Sequence, residues 1–323
     1  MLKILTHISR VLVGLLFIYS GFVKLVDPIG SQYKFQEYFS EGVLNMEFLI
    51  PYTLPFAILL IVSELVLGVM LLVGFKPKFT VWSLFSLNLI FLFLTWYSYT
   101  YNKVTDCGCF GDALKLTPKE TFYKNVVFMV FIIILILGLK YIKPLISDKV
   151  ASLSTYVSIF LSLLVTYYVL QHLPIIDFRA YSIGTNIAEG MAYQEGSDEV
   201  PPIHDFMIET DDGDKLEDML TKDKAMLIML YNFEKMDKDG LPAVTKVAAD
   251  AKAKGYEVYV LTASYIEDLT ATQKEFNLPY TFGFCDETAL KTAIRANPGI
   301  MTVEKGTIVG KWNWTDADDV ILK

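Results

Sequence analysis

The sequence predicts a membrane-embedded all-α bundle of four helices plus a fifth, followed by a soluble α/β domain. Three observations carry this expectation. The first is a split in charge that the averages hide. Overall the 323 residues are 53% hydrophobic with a net charge of −8. Residues 1–173 hold 13 Lys+Arg and 9 Asp+Glu, whereas residues 174–323 hold 15 and 27, so a sparsely charged half at +4 precedes an acidic half at −12. The second is five apolar runs in the first half, each near the ~20 residues a helix needs to cross a bilayer core. The third is an alternation of strand-like and helix-like runs beyond residue 203. Such a composition excludes disorder, and three Cys cannot staple a chain of this length. An acidic soluble half has little to attract phosphates, so nucleic acid is not an expected partner.

The first apolar run extends from about Ile8 to Val26, with Arg10 and Lys24 near its ends. It resembles a signal-peptide core, but no small-x-small cleavage site follows, so it is read as a spanning helix. The second, Tyr52 to Phe75, contains one charge, Glu64; the third, Phe79 to Asn102, contains none. The fourth runs from Tyr123 to Ile142, and the fifth lies within the uncharged stretch Val150 to Ile176. Backbone groups at that depth must be paired internally, so each run is expected to be helical. Basic residues set the orientation. With the N-terminus inside, the cytoplasmic side holds Lys3, Arg10, Lys76, Lys78, Lys140, Lys143 and Lys149, against Lys34, Lys103, Lys115, Lys119 and Arg179 outside. Five crossings then put the second half, and the loop with Cys107 and Cys109, on the outer side, which is oxidising in a bacterial cell.

Residues 177–202 are polar and aperiodic and read as a linker. In 203–323, Met226 to Tyr231 and Glu257 to Thr262 read as buried strands. Helices are expected from Pro242 to Lys254, from a Ser264 cap to Phe276, and from an Asp286 cap through Glu287 to Arg295. Pro298 leads into two strands joined at Lys305 and Gly306.

The segment DFMIETDDGD (Asp205 to Asp214), a buried strand, and the proline-led hairpin with KGTIVGKW (Lys305 to Trp312) resemble thioredoxin-like domains of the TlpA type. That resemblance implies a cis Asn297–Pro298 bond and a Cys-x-x-Cys near Asn232 to Asp239. The sequence there reads NFEKMDKD, so the thiol pair such a domain uses for exchange is missing. Cys285, just before a helix, reads as a buried inert thiol rather than a reactive one.

The most specific local signal is DCGCFGD, Asp106 to Asp112. Cys107 and Cys109 flank a Gly that permits backbone angles other residues resist, so the pair can close a small strained disulfide of oxidising character. A redox pair, a static disulfide or thiols in a tight turn, and half of a soft-metal site are the three readings; the last lacks nearby His partners. Glu64 is the second feature. A carboxyl at that depth needs a partner, for which Lys24, Arg10 and Tyr19 are candidates; it is either a proton-carrying or quinone-binding acid or a register-fixing pair. Asn88 reads as interhelical glue. Trp96, Tyr97, Tyr99 and Tyr101 read as an interfacial belt or a quinone-contacting surface. Trp312 and Trp314, alternating with Lys311 and Asn313, are expected on one face of a strand, and EKMDKD reads as solvated loop.

The runs RVLVGLLFIYSGFVKLVDP (Arg10 to Pro28), SELVLGVMLLVG (Ser63 to Gly74) and DCGCFG resemble the DoxX superfamily of bacterial membrane proteins and, within it, the MauE branch, over about residues 1–145. The resemblance implies a four-helix membrane bundle. It also implies a link to maturation of a disulfide-rich periplasmic enzyme for MauE-type members, and quinone-coupled thiol or thiosulfate oxidation for some DoxX-type ones. The expected organisation is a membrane domain at 1–145, a fifth helix at 146–176, a linker at 177–202 and a thioredoxin-like domain at 203–323. The expected function is thiol-disulfide or quinone-linked redox handling in the bacterial inner membrane. Cys107, Cys109 and Glu64 would carry the chemistry, a quinone would be the cofactor, and lipid and a periplasmic client the partners. The alternative is a non-enzymatic membrane-anchored scaffold or assembly factor. A transporter comes third, because a single deep charge gives little polar lining.

Overall fold

Two structural units divide the chain, Met1–Leu170 and Gln171–Lys323. The computed structural model describes residues 1–104, 108, 110–114, 116–193 and 200–323.

In the first unit the five apolar runs form helices long enough to cross a membrane. They are α1 (Leu2–Val26), α3 (Thr53–Val73, entered by a 3-10 turn at Glu47–Tyr52), α4 (Pro77–Tyr101), α5 (Pro118–Leu137) and α6 (Asp148–Gln171). Between α1 and α3 lies α2 (Pro28–Phe39), which hydropathy did not reveal because its composition is too polar to stand out. Its start is nonetheless written in the sequence. The Asp27 carboxylate accepts from the Gly30 N–H and Pro28 occupies the first helical turn. The start of α5 is marked more fully by a capping box, in which Thr117 and Glu120 satisfy each other's backbone N–H. α3 stops at Gly74, whose φ of 78° is left-handed.

α1 runs against α3 and α5, and α4 against α5 and α3. Glycines set the closeness of the α1–α3 pair. A Cβ at Gly14 would stand 2.5 Å from Leu72 Cδ2, and one at Gly68 would stand 2.9 Å from the Gly14 carbonyl oxygen. Val13, Phe17, Leu71, Leu84, Ile132 and Leu135 fill the space between helices. Leu15, Leu59, Phe93, Val130 and Phe160 point outward, as lipid-facing positions must. Asn88 Nδ2 donates to the Asn125 carbonyl at 3.1 Å, and Asn125 Nδ2 to Thr95 Oγ1 at 3.4 Å, so α4 and α5 are joined by the expected interhelical hydrogen bonding.

The second unit holds a seven-stranded mixed sheet. Its strands are β1 (Glu209–Thr210), β2 (Gly213–Asp214), β3 (Ala225–Met229), β4 (Glu257–Thr262), β5 (Thr281–Phe284), β6 (Gly299–Glu304) and β7 (Thr307–Asn313), in the order β2-β1-β5-β4-β3-β6-β7. β3 is parallel to β4 and antiparallel to β6, and β7 is antiparallel to β6. β5, β1 and β2 lie on the β4 side of this sheet, and β7 forms its opposite edge. The helices are α7 (Ile187–Met191), α8 (Leu216–Thr221), α9 (Leu241–Ala253), α10 (Leu269–Phe276) and α11 (Glu287–Ala293).

 The α10 helix, Leu269–Phe276, is capped by Asp268, whose side chain accepts from the Ala271 N–H. Ser264, expected as that cap, lies too far upstream and instead accepts from the Phe233 N–H at 3.0 Å.

All five side chains of β3 are buried, because both sheet faces are covered. Leu227, Met229 and Leu261 face the core under α11, while Met226, Ile228 and Val260 face the core under α9. The Asn297–Pro298 bond that leads into β6 is cis, as expected.

Residues 177–193 depart from the expected linker. Tyr181 and Ile187 are buried in the domain core. The Gly184 N–H donates to the Ile308 carbonyl, the Ile308 N–H to Thr185, and the Ile187 N–H to Gly306, at 2.8–2.9 Å. The segment therefore covers the edge of β7, which would otherwise expose unpaired backbone groups. Its lack of periodicity misled because it pairs with a strand more than a hundred residues away. Trp314 also differs from expectation. It opens a 3-10 turn at Trp314–Asp319 rather than continuing the strand, although both tryptophans pack on the α9-side core.

Candidate functional site

In the membrane unit, Glu64 of α3 is fully buried and finds its partner in Lys24 of α1. Lys24 Nζ stands 2.9 and 3.1 Å from the two carboxylate oxygens and donates to Ser20 Oγ at 2.7 Å. The other two candidates are employed elsewhere. Arg10 donates to the carbonyls of Leu71 and Leu72 at 2.8 Å and of Lys143 at 3.0 Å, so it closes the C-terminal end of α3, whose last carbonyls have no partner within the helix. Tyr19 is half exposed, with its ring 5.6 Å from Phe110.

Cys107 and Cys109 lie outside the described residues. The Gly between them does not: Gly108 has φ +61°, and a Cβ there would meet Lys34 Cγ at 2.7 Å. Glycine is thus required both by the left-handed backbone and by the contact with α2. Lys34 is itself paired with Glu37 at 2.7 Å. Two residues on, Phe110 is buried under the Lys124 ammonium, 4.3 Å from the ring centroid.

Gly108 also lines a cavity of about 370 Å³ bounded by α1, α2, α3 and α4. Phe35 and Phe39 of α2 and Phe56 of α3 form an aromatic wall, with ring centroids 5.8–6.4 Å apart. Lys24 and Lys34 border the same space, as do Ser31 and Ser63. The sequence reading missed this site. Lys34 and Glu37, three apart, and Phe35 and Phe39, four apart, were the available signal for a helix with one charged and one aromatic face.

Of the aromatic group at the end of α4, Trp96, Tyr99 and Tyr101 are exposed, while Tyr97 donates its hydroxyl to the Val43 carbonyl at 2.6 Å.

In the second unit the loop after β3, where thioredoxin-like domains carry their thiols, is NFEKMDKD. It is tied to the cis-proline segment. Asn297 Nδ2 donates to the Asn232 carbonyl at 2.8 Å, and the Asp237 N–H to the Asn297 carbonyl at 2.9 Å. Met236 is buried, and the charged residues around it are exposed. The loop itself contains no Cys. Cys285 is fully buried, and burial pushes its thiol up to about 12, so it holds little thiolate at neutral pH.

A buried charge cluster joins the start of this unit to β7. Arg179 Nε and Nη2 donate to the two Asp177 oxygens at 2.7 and 2.9 Å, and Lys311 Nζ donates to Asp177 at 2.6 Å and to the Tyr181 carbonyl at 2.9 Å. Burial alone raises the Asp177 carboxyl, but the charges of Arg179 and Lys311 outweigh it and bring it to about 2. Burial, reinforced by Arg179, pushes the Lys311 ammonium down to about 7.

Residues 2–138 match the family model described as Methylamine utilisation protein MauE. No curated protein matches the chain. Two solved structures align with it. One is the solution structure of a thiol:disulfide interchange protein from Bacteroides sp., 19% identical with a TM-score of 0.27, covering 33% of this chain and 75% of that one. The other is the crystal structure of the thioredoxin domain of a thiol-disulfide oxidoreductase from Bacteroides vulgatus, 18% identical with a TM-score of 0.27, covering 37% of this chain and 89% of that one. The chain is a multi-pass membrane protein, similar over residues 2–138 to the MauE family, and its second unit is an α/β domain built on a seven-stranded mixed sheet.

Proposed function

We propose that this protein supplies oxidising equivalents to a client in the bacterial periplasm through Cys107 and Cys109, as an inner-membrane member of the wider DoxX group with its N-terminus inside. A client thiolate attacks the Cys107–Cys109 disulfide to form a mixed disulfide. A second client thiolate resolves it, leaving the client oxidised and the pair as a dithiol. Reoxidation removes two electrons and two protons, for which a membrane quinone is the acceptor. The thioredoxin-like domain holds the client without exchanging disulfides itself, since its loop Asn232 to Asp239 has no Cys.

The observation that carries this reading is the seat of Gly108. The residue between the two cysteines rests on Lys34 at the wall of an apolar cavity within the helical bundle. Trapping thiols in intact cells with a mass-adding alkylating reagent tests it. The wild-type chain is expected to hold Cys107 and Cys109 mostly oxidised and to shift when the acceptor is withdrawn. A pair that stays free, whatever the state of the cell, removes the mechanism. The missing thiols of the NFEKMDKD loop favour a second reading, a scaffold or assembly factor. Cys107→Ser with Cys109→Ser separates the two: lost client oxidation at normal abundance supports the redox role, and normal client oxidation supports the scaffold.

A further inference from the structure

We propose that the cavity bounded by α1–α4 is the binding site for the ring of a lipophilic quinone, with Ser31 and Ser63 as hydrogen-bond donors to it. The choice of ligand rests on the redox reading above; the site itself rests on four features of the cavity.

Its volume of about 370 Å³ falls within the range of small-molecule sites. Its walls are mostly apolar, and Phe35, Phe39 and Phe56 form a surface on which a flat ring can stack. The few polar groups are donors. Thr95 and Ser98, on the neighbouring α4, return their hydroxyls to their own helix, to the carbonyls of Phe91 and Leu94. Ser31 and Ser63 make no such bond among the described residues, so each hydroxyl is available to a carbonyl acceptor in the cavity. Finally, Gly108 reaches the same cavity from the loop that carries both cysteines.

An apolar space with unspent donors suits a neutral ring bearing two carbonyl oxygens better than a fatty acyl chain, which offers the hydroxyls nothing. The transfer it would serve is balanced. Two S–H bonds of Cys107 and Cys109 break and one S–S bond forms, while two electrons and two protons reduce the quinone to the quinol.

The test is binding of a decyl-substituted benzoquinone to the purified full chain, measured by calorimetric titration. Saturable binding is expected for the wild type. Leu60→Trp, which fills the cavity, is expected to weaken it at least about tenfold, and Ser31→Ala with Ser63→Ala about three- to tenfold, the worth of one or two hydrogen bonds. Leu89→Trp, on an exposed position of α4 outside the cavity, is expected to leave binding unchanged. An unchanged Kd in Leu60→Trp overturns the site; should that variant not fold, an unchanged Kd in the double serine variant does so. Recovery of phospholipid alone from the wild-type chain, with no quinone bound, overturns it as well. Binding is expected to survive Cys107→Ser with Cys109→Ser. Intact binding alongside inert thiols would therefore defeat the redox reading and leave the site standing, and lost cavity dependence alongside active thiols would do the reverse.

Discussion

Glu64 and Lys24 place opposite charges 2.9 Å apart where almost no water is available to either. Desolvating two ions costs several kcal/mol each, and their attraction recovers that only when both are present and further hydrogen bonds complete them, as Ser20 does for Lys24. Removing one partner strands the other. Lys24→Met or Glu64→Leu alone is expected to destabilise the membrane unit by about 3–5 kcal/mol, whereas the two together should recover most of that loss. Unfolding in mixed detergent micelles measures it. The same double variant weighs the two roles of Glu64: restored folding with restored client oxidation makes the pair structural, and restored folding without it makes Glu64 part of proton or electron transfer. An acidic residue in an apolar run was legible as a feature that needed a partner. That Lys24 serves, and that Arg10 instead closes α3, depended on which turn of α1 faces which turn of α3.

Among the elements, the α1–α3 contact depends on three glycines, Gly14, Gly21 and Gly68. A methyl group at Gly68 would lie 2.9 Å from a backbone oxygen of α1 and 3.1 Å from the Ile18 nitrogen, neither of which can rotate away. Gly68→Ala is expected to force the helices apart and cost about 1–3 kcal/mol, while Leu15→Ala on the exposed face of α1 changes stability little; the same detergent titration reads both. In the second unit, the Asp177 cluster fixes residues 177–193 against β7. Asp177 is held at about 2, below its ordinary 3.8, so its contribution is present above about pH 4 and is lost as the pH falls toward 2. Lys311 is held at about 7, below its ordinary 10.5, so the unfolded chain binds the extra proton and stability rises as the pH climbs from about 7 toward 10.5. Asp177→Asn should flatten the acid side of the profile and Lys311→Met the alkaline side, as followed by proteolysis of the second unit in the full chain across pH.

At the scale of the whole molecule, the expected division into a membrane bundle and an acidic α/β domain matches the two units, Met1–Leu170 and Gln171–Lys323. The spans were legible because each is apolar throughout, so hydropathy alone marks them. The strands β3 and β4 were legible because both are short apolar runs between polar turns. α2 was not, since half its residues are polar and what holds it is an Asp27 cap and its contact with α3. Nor was the cover over β7, since its hydrogen bonds join Gly184 and Ile187 to residues near 306–308.

The candidate site divides along the same line. The DCGCFG motif, Glu64 within an apolar run, and the Cys-free loop NFEKMDKD were each determined by the sequence itself, because the type and spacing of neighbouring residues are local facts. The pairing of Lys24 with Glu64, the Arg10 clasp on α3, and the cavity that brings Phe35, Ser63 and Gly108 together were decided only by the tertiary structure. Each depends on side chains from different helices meeting across an interface. Hydropathy fixes that a helix is buried in lipid; only packing fixes which of its faces meets which neighbour.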